Sequence, residues 1–151
     1  IKNLRDYIST DNFKEICQDK EVFVLRNLSI GNGIGFFEAD NFYPDFILWI
    51  KEEGRQYITF VDPKGIVMLG SKEHPKIKLA ETIKYRQNRL KGYRNQAVIL
   101  NSFIISKTDM NKAKEAFNNP HLTEDDFMDM NIIFENDPEG IDKMFRKILE
   151  A

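Results

Sequence analysis

The chain has 151 residues, 42% of them apolar, and a formal net charge of −2, so its composition indicates one globular domain and not a strongly basic nucleic-acid binder. One cysteine excludes an internal disulfide, and with only two histidines it leaves too few nitrogen and sulfur ligands for a closed zinc site. No run approaches the roughly 20 apolar residues of a membrane-spanning helix, so we expect a cytoplasmic protein in which any metal ion has oxygen ligands. Because the chain starts at Ile1 inside a polar helical stretch, we expect a fragment of a longer protein.

The first third of the sequence predicts helices and then strands. Apolar residues at mixed spacings of three and four over positions 2–18 predict one or two short helices, with Asp11 as an N-cap. Positions 21–28 change to the apolar, β-branched character of a strand. The glycines of 31–35 indicate a turn, since they lack the Gly-Lys-Ser/Thr ending of a phosphate-binding loop, and a second strand containing Phe36–Phe37 is expected after them.

The middle of the chain predicts a hairpin and a long helix. Two apolar runs at 46–50 and 57–61, separated by a polar stretch, are typical of paired strands. Positions 72–91 carry one apolar face, with Pro75 near the start and Gly92 just after the end, as in a helix of about five turns. The residues of that face are Leu79, Ile83 and Leu90. The remaining elements are a strand at 97–105, a helix at 111–117, an edge strand at 130–134 and a closing helix at 139–149. This order predicts an α/β fold with a central mixed β-sheet flanked by helices.

The charge is unevenly distributed along the chain. Segment 72–94 is strongly basic, whereas the tail from Asp109 onward is dominated by acids. Two interpretations of the basic helix stay open: a solvated face, or contact with a DNA backbone, with Lys84 or Gln87 reaching substrate phosphates. The two histidines, His74 and His121, are expected at the surface because neither has a partner visible in the sequence.

The register of the predicted hairpin decides whether its acids can cooperate. If the tip is the two-residue loop Glu53–Gly54, the pairing places Asp45 opposite Asp62. A loop one residue longer would shift the register and break this opposition. Directly opposed residues have Cβ atoms roughly 4.5–5.5 Å apart, close enough for two carboxylates to share a divalent cation. Side chains alternate along a strand, so Lys64 would lie on the same face as Asp62.

These residues also carry a family resemblance. Pro44-Asp45, followed by Asp62-Pro63-Lys64, resembles the PD-(D/E)xK nuclease signature. The flanks, NFYPDFILW at 41–49 and FVDPKG at 60–65, resemble more narrowly the C-terminal endonuclease domain of the restriction (Res) subunit of type III restriction enzymes. The close resemblance covers roughly Gly33 to Gly65, and the element order extends it loosely over most of the chain.

The resemblance implies a restriction-endonuclease-like fold over residues 1–151 and a Mg²⁺- or Mn²⁺-dependent endonuclease that cleaves double-stranded DNA. Asp45 and Asp62 would hold the metal and Lys64 would assist catalysis. A third acid is implied upstream, for which Glu38 is the candidate and Glu15, on the first helix, the outsider. The implied partners are a helicase domain in the same parent chain and a methyltransferase (modification) subunit.

Two alternatives stay open at this stage. The chain could be a noncatalytic nuclease-like module that binds DNA or a subunit, or a repair or recombination nuclease of the same superfamily. For each acid alone, a turn-capping role is the ordinary explanation, and an exposed strand-end lysine commonly protects a sheet edge. The aromatic residues are expected in the core, namely Phe36, Phe37, Phe42, Tyr43, Phe46 and Trp49.

Overall fold

The computed structural model describes residues 2–28, 32–36, 39, 41–90 and 97–151. The chain opens with helices α1 (Lys2–Ile8) and α2 (Asp11–Ile16), and strand β1 (Glu21–Arg26) follows. Both predictions are confirmed, but the N-cap of α2 is Thr10, whose hydroxyl accepts a hydrogen bond from the backbone of Phe13.

The expected strand at Phe36–Phe37 is not found in the described residues. Phe36 forms only an isolated antiparallel bridge with Phe42, and Phe37 lies outside the described residues, as does Gly31 of the glycine turn. Phe36 and Phe42 are nevertheless buried, as predicted for core aromatics. The ring of Phe36 packs against that of Phe60 on β3, so these aromatic residues reach the core without forming the expected strand.

The middle of the chain forms a hairpin followed by a crossover connection. Strands β2 (Phe46–Glu52) and β3 (Arg55–Lys64) are the predicted hairpin, and a short 3₁₀ helix (Ile66–Leu69) follows β3. Helix α3 (Pro75–Leu90) then leads back to strand β4 (Ala97–Ser106). The predicted long helix and buried strand are confirmed; Gly92 lies outside the described residues.

The C-terminal part contains one helix that the sequence pattern did not predict. The expected elements are present as α4 (Met110–Ala116), the edge strand β5 (Ile132–Phe134) and α6 (Gly140–Glu150). Between them lies α5 (Glu124–Asp129), only six residues long and too short for an apolar period to stand out. Its signal was the capping box of Thr123 and Asp126.

The five strands form one mixed sheet in the order β1-β2-β3-β4-β5. The first three strands are antiparallel neighbours, whereas β3 pairs with β4 and β4 with β5 in parallel. Helices α1, α2 and α6 contribute to the core on one face, and α3 packs on the other with Leu79 and Ile83. Leu90, the third residue predicted on the apolar face of α3, ends the helix and is 43% exposed. In the described segments, no helix combines the length and apolar character needed to cross a membrane.

Candidate active site

The hairpin register determines which side chains meet at the end of β2 and β3. The tip is Glu53–Gly54, with the glycine at the positive φ of 75° that a tight turn needs. At the far end of the ladder Phe46 pairs with Val61. The predicted register is therefore confirmed over the paired residues. Asp45 and Asp62 are the next residues beyond the last pair, and continuing the register would place them opposite each other.

Two prolines lie one position beyond the acids in this register, Pro44 on the β2 side and Pro63 on β3. Lys64 directs its carbonyl toward β4, where the Lys107 amide donates to it, so the alternating backbone of Pro63 faces β2. Proline has no N–H, and neither residue can donate to the ladder. The antiparallel pairing therefore stops next to the acids and leaves their end of the hairpin without a closing pair.

The acids lie on the face of the sheet that α3 covers. Side chains alternate along a strand, so Asp62 shares a face with Phe60 and Asp45 shares a face with Ile47. Both apolar residues pack in the cluster that includes Ile83 of α3. The acidic pair thus begins where the apolar layer between α3 and the sheet ends.

Asp62 is a buried acid without a hydrogen bond. Its residue is 1% exposed, and neither carboxylate oxygen has a hydrogen-bond partner within the described chain. The ammonium of Lys64 lies 3.6 Å from Oδ2, as expected for a residue on the same face. Asp45, in contrast, is exposed. The structure therefore brings Asp62 and Lys64 together and places Asp45 across the strand from them.

The surroundings of Asp62 raise the pKa of its carboxyl group. Burial is the largest cause; the charge of Lys64 lowers the pKa, the charge of Asp45 raises it, and that of Lys76 lowers it. The backbone N–H of Asp45 is a smaller favourable influence, but it does not reach hydrogen-bond geometry with either oxygen. The two lysines thus compensate only part of the cost of burying this charge. A positive ion beside the two acids would compensate the rest.

Lys76 is a residue of this region that the sequence analysis did not single out. It lies in the first turn of α3, with its Nζ 4.9 Å from the centre of the Phe42 ring. Its charge acts on Asp62. The available signal was topological: a helix that follows a strand and returns to a parallel strand starts at the end where the first strand finishes.

Asn27 fixes the segment that leads into Asp45. Its side-chain amide donates to the carbonyls of Ile34 and Pro44, both at 2.8 Å, and its oxygen accepts from the Ile34 amide. A groove of about 520 Å³ runs beside Asp45 and is lined by Asn27 and Arg26 among others. The lining of this groove thus includes both Arg26 and the exposed Asp45.

The third-acid candidates do not complete the site within the described residues. Glu38 lies outside them. Glu15 is on α2 and lines a surface depression with Arg55, at the tip end of the hairpin. Asp62 lies seven positions beyond Arg55 along β3, which is roughly 23 Å along a strand. Glu15 is therefore too far away to share a ligand with Asp62.

Lys84 and Gln87 do not turn toward the acids. The ammonium of Lys84 donates to the Leu100 carbonyl at 2.7 Å and to Oδ1 of Asn101 at 2.8 Å. The Gln87 side chain accepts from the Leu100 amide at 2.8 Å. The suggestion that these two residues reach substrate phosphates is thus replaced by a structural role, because they satisfy the backbone of β4 where β5 does not extend.

The described residues contain no group of three or more histidine, cysteine, aspartate or glutamate side chains placed to hold a metal ion. Among these residues, Asp45 is the one acid whose charge acts on Asp62, so the described candidate site contains two acids. Comparison of the chain with models of known families, with curated proteins and with solved structures found no match.

Proposed function

We propose that this chain is a metal-dependent nuclease domain with a restriction-endonuclease-like fold that hydrolyses phosphodiester bonds of double-stranded DNA. The observation that carries the proposal is the buried carboxylate of Asp62, which lies at the same end of the hairpin as Asp45 and has no hydrogen bond to any described residue. A buried charge costs several kcal/mol unless its partners compensate it, and Lys64 is the one ion-pair partner of Asp62 in the described part of the chain. A divalent cation is the partner that two facing carboxylates favour.

The donor set suits Mg²⁺ or Mn²⁺. Carboxylate oxygens are hard ligands, and Mg²⁺ commonly uses one or two of them together with water and substrate phosphate. Asp62 and Asp45 would hold the ion, and Glu38 remains the proposed third acid. When bound, the metal would supply polarisation of the phosphate and a water of lowered pKa.

Lys64 has the position of the assisting cation. Its ammonium lies near Asp62 and remains 36% exposed, so it can contact both the acid and a ligand approaching from solvent. There it would orient the attacking water or stabilise the charge that develops on the phosphate. The exposed carboxylate of Asp45 would be the acid that a ligand meets first.

The arrangement of elements supports the same proposal. Two helices, three antiparallel strands, a crossover helix and a parallel strand follow one another, and this mixed sheet flanked by helices is compatible with the restriction-endonuclease-like fold that we propose. In a type III restriction enzyme this domain would act beside a helicase domain of the same chain and a methyltransferase subunit. Membership of the type III restriction enzyme family is part of the proposal and rests on the amino-acid sequence of residues 41–49 and 60–65.

Metal binding is the direct test. Calorimetric titration with Mn²⁺ and Mg²⁺ is expected to give a saturable signal for the wild-type chain and none for Asp45→Ala or Asp62→Ala. Glu53→Gln is the matched control, since it removes a carboxylate from the tip of the same hairpin and should titrate like the wild type. Cleavage of plasmid DNA should require the metal and disappear with it.

Flat titrations for the wild type and both alanine variants would refute the catalytic proposal. DNA binding in that case would identify the noncatalytic module instead. If metal-dependent cleavage is seen, the sequence upstream of Ile1 separates restriction from repair, since helicase motifs there favour restriction.

A further inference from the structure

Helix α3 begins at the end of the sheet where Asp62 lies. Strand β3 finishes at Lys64 and β4 at its partner Ser106, and the connection through α3 must start at this end because the two strands are parallel. The sixteen-residue helix therefore directs the positive end of its dipole toward the acid region. A negatively charged ligand is favoured there, next to the acids rather than on them.

The backbone of the first turn of α3 has no free donor to offer such a ligand. Pro75 lacks an N–H, and the Lys76 amide donates to Nδ1 of His74. The amides of Ile77 and Lys78 both donate to the His74 carbonyl. An anion at this end must therefore be held by a side chain.

Lys76 is the side chain in position. Its ammonium rests against the face of the buried Phe42 ring, and its charge reaches Asp62, yet it makes no ion pair within 4 Å among the described residues. Lys64 is already paired with Asp62, and Lys78 is paired with Glu73 and Glu81. Lys76 is thus the lysine of the first turn whose charge is left for a ligand.

We infer that Lys76 binds a backbone phosphate of the nucleic acid and thereby places the neighbouring phosphodiester beside Asp62 and Lys64. This inference rests on the proposed nuclease function. The ring of Phe42 limits the directions in which the ammonium can point, since a cation prefers the face of an aromatic ring. Lys76 therefore acts as a preset phosphate contact, whereas lysines on the open face of α3 contribute only general charge.

The test compares Lys76→Ala, Lys76→Gln, Lys76→Arg and the control Lys78→Ala. Binding to a labelled duplex is measured by fluorescence anisotropy over a salt series, with Ca²⁺ in place of Mg²⁺ to allow binding without cleavage. Lys76→Ala and Lys76→Gln are expected to weaken binding about tenfold and to reduce the slope of log K against log salt by about 0.9, the loss of one phosphate contact. Lys76→Arg should keep the slope, and Lys78→Ala should change neither quantity by more than about twofold.

Metal titration of each variant separates this inference from the nuclease proposal. Retained metal binding with a weakened, less salt-dependent DNA affinity in Lys76→Ala and Lys76→Gln supports the inference. Equal losses in the Lys76 and Lys78 variants, or an unchanged slope in both Lys76 variants, would overturn it while metal-dependent cleavage by the wild type still stands. A wild-type chain that neither binds metal nor cleaves DNA would overturn the nuclease proposal itself.

Discussion

The two ends of helix α3 treat charged side chains in opposite ways. Near its C-terminal end, Lys84 is half-buried and donates to two oxygens of β4, and Gln87 completes the same strand edge. Near its N-terminal end, Lys76 has no ion-pair partner among the described residues, and the buried Asp62 below it has no hydrogen bond. The charged side chain is therefore hydrogen-bonded to the sheet at one end of α3, whereas the charges at the other end are compensated only in part.

The hydrogen bonds of Lys84 stabilise the fold, whereas the burial of the Asp62 carboxylate destabilises it. Hydrogen bonds to a charged group contribute about 1.5–3 kcal/mol each, so the Lys84 contacts account for keeping a lysine there. Thr59 and Asn101 also contain a buried polar atom without a partner, but these atoms are neutral, and an unpaired neutral group costs about 1–3 kcal/mol. The buried Asp62 carboxylate, which has an ion pair with Lys64 but no hydrogen bond among the described residues, is the more expensive arrangement, and the proposed metal ion would offset this cost.

Asp62→Asn tests the end of α3 at which the buried acid lies. This change keeps the shape of the side chain and removes its charge, so we expect metal binding to be lost and cleavage to fall by about 10³-fold. Plasmid cleavage and metal titration measure the two effects. Glu53→Gln at the opposite end of the hairpin should leave both unchanged; an Asp62→Asn chain with wild-type cleavage would show that this carboxylate has no part in the chemistry.

Lys84→Met tests the other end of α3, where Lys84 and Gln87 form hydrogen bonds with β4. It keeps the length of the side chain but leaves the Leu100 carbonyl and the Asn101 side chain without a donor, so the free energy of unfolding should fall by about 2–4 kcal/mol. Urea unfolding measures the loss. Arg89→Met, exposed on the same helix, should cost less than about 0.5 kcal/mol. The functional role considered for Lys84 would return if its replacement left stability intact and abolished cleavage.

In the absence of metal ions, Asp62→Asn should be more stable than the wild type, whereas Lys84→Met should be less stable. Without divalent ions the buried charge is a penalty, so its removal is expected to raise the free energy of unfolding by about 1–3 kcal/mol at neutral pH. Urea unfolding in EDTA measures this, with the exposed Asp45→Asn as the comparison variant, for which a smaller gain is expected. A loss of stability would mean that unseen contacts already compensate Asp62.

The pH dependence of stability follows from the same residue. Burial raises the pKa of Asp62 above its ordinary value of 3.8, so the folded chain holds this proton more tightly than the unfolded chain. The contribution of Asp62 to stability is therefore fully present below 3.8 and is lost as pH rises through the folded pKa. Unfolding in EDTA across this range should show a decline in the wild type that is missing from Asp62→Asn; parallel curves would contradict the raised pKa.

Gln87→Ala should cause a smaller loss of stability than Lys84→Met. Only the Leu100 amide loses its acceptor, and water can reach the edge of the strand, so we expect a loss of about 1 kcal/mol. Thermal unfolding detects such a change. A loss as large as that of Lys84→Met would indicate that the two side chains stabilise the edge as one coupled unit.

The sequence predicted the hairpin well because its rules are local. Alternation of apolar residues and the glycine of the tip determine the register, and the register alone brings Asp45 and Asp62 to one end. The contact between Lys64 and Asp62 followed from the same alternation. The general fold class was accessible for a similar reason, since the order of periodic segments indicates a mixed sheet.

The contributions of α3 could not be predicted in this way. Periodicity identifies its buried face, but whether Lys76 or Lys84 faces the acids depends on where the helix starts along the sheet and how far β5 extends. These are nonlocal distances, and the pattern of a single helix does not contain them. Leu90 shows the same limit: its spacing fits the inner face, but it lies in the last turn of the helix and is exposed.

The facing prolines set a condition for moving this acidic pair into another protein. Pro44 and Pro63 remove the two donors that would otherwise extend the antiparallel ladder by one more bonded pair. A hairpin that carried both aspartates and the lysine, but not the prolines, could continue its ladder across the place where a ligand would enter. Transplanting the pair therefore requires copying five residues, two of which are needed because they lack a backbone N–H.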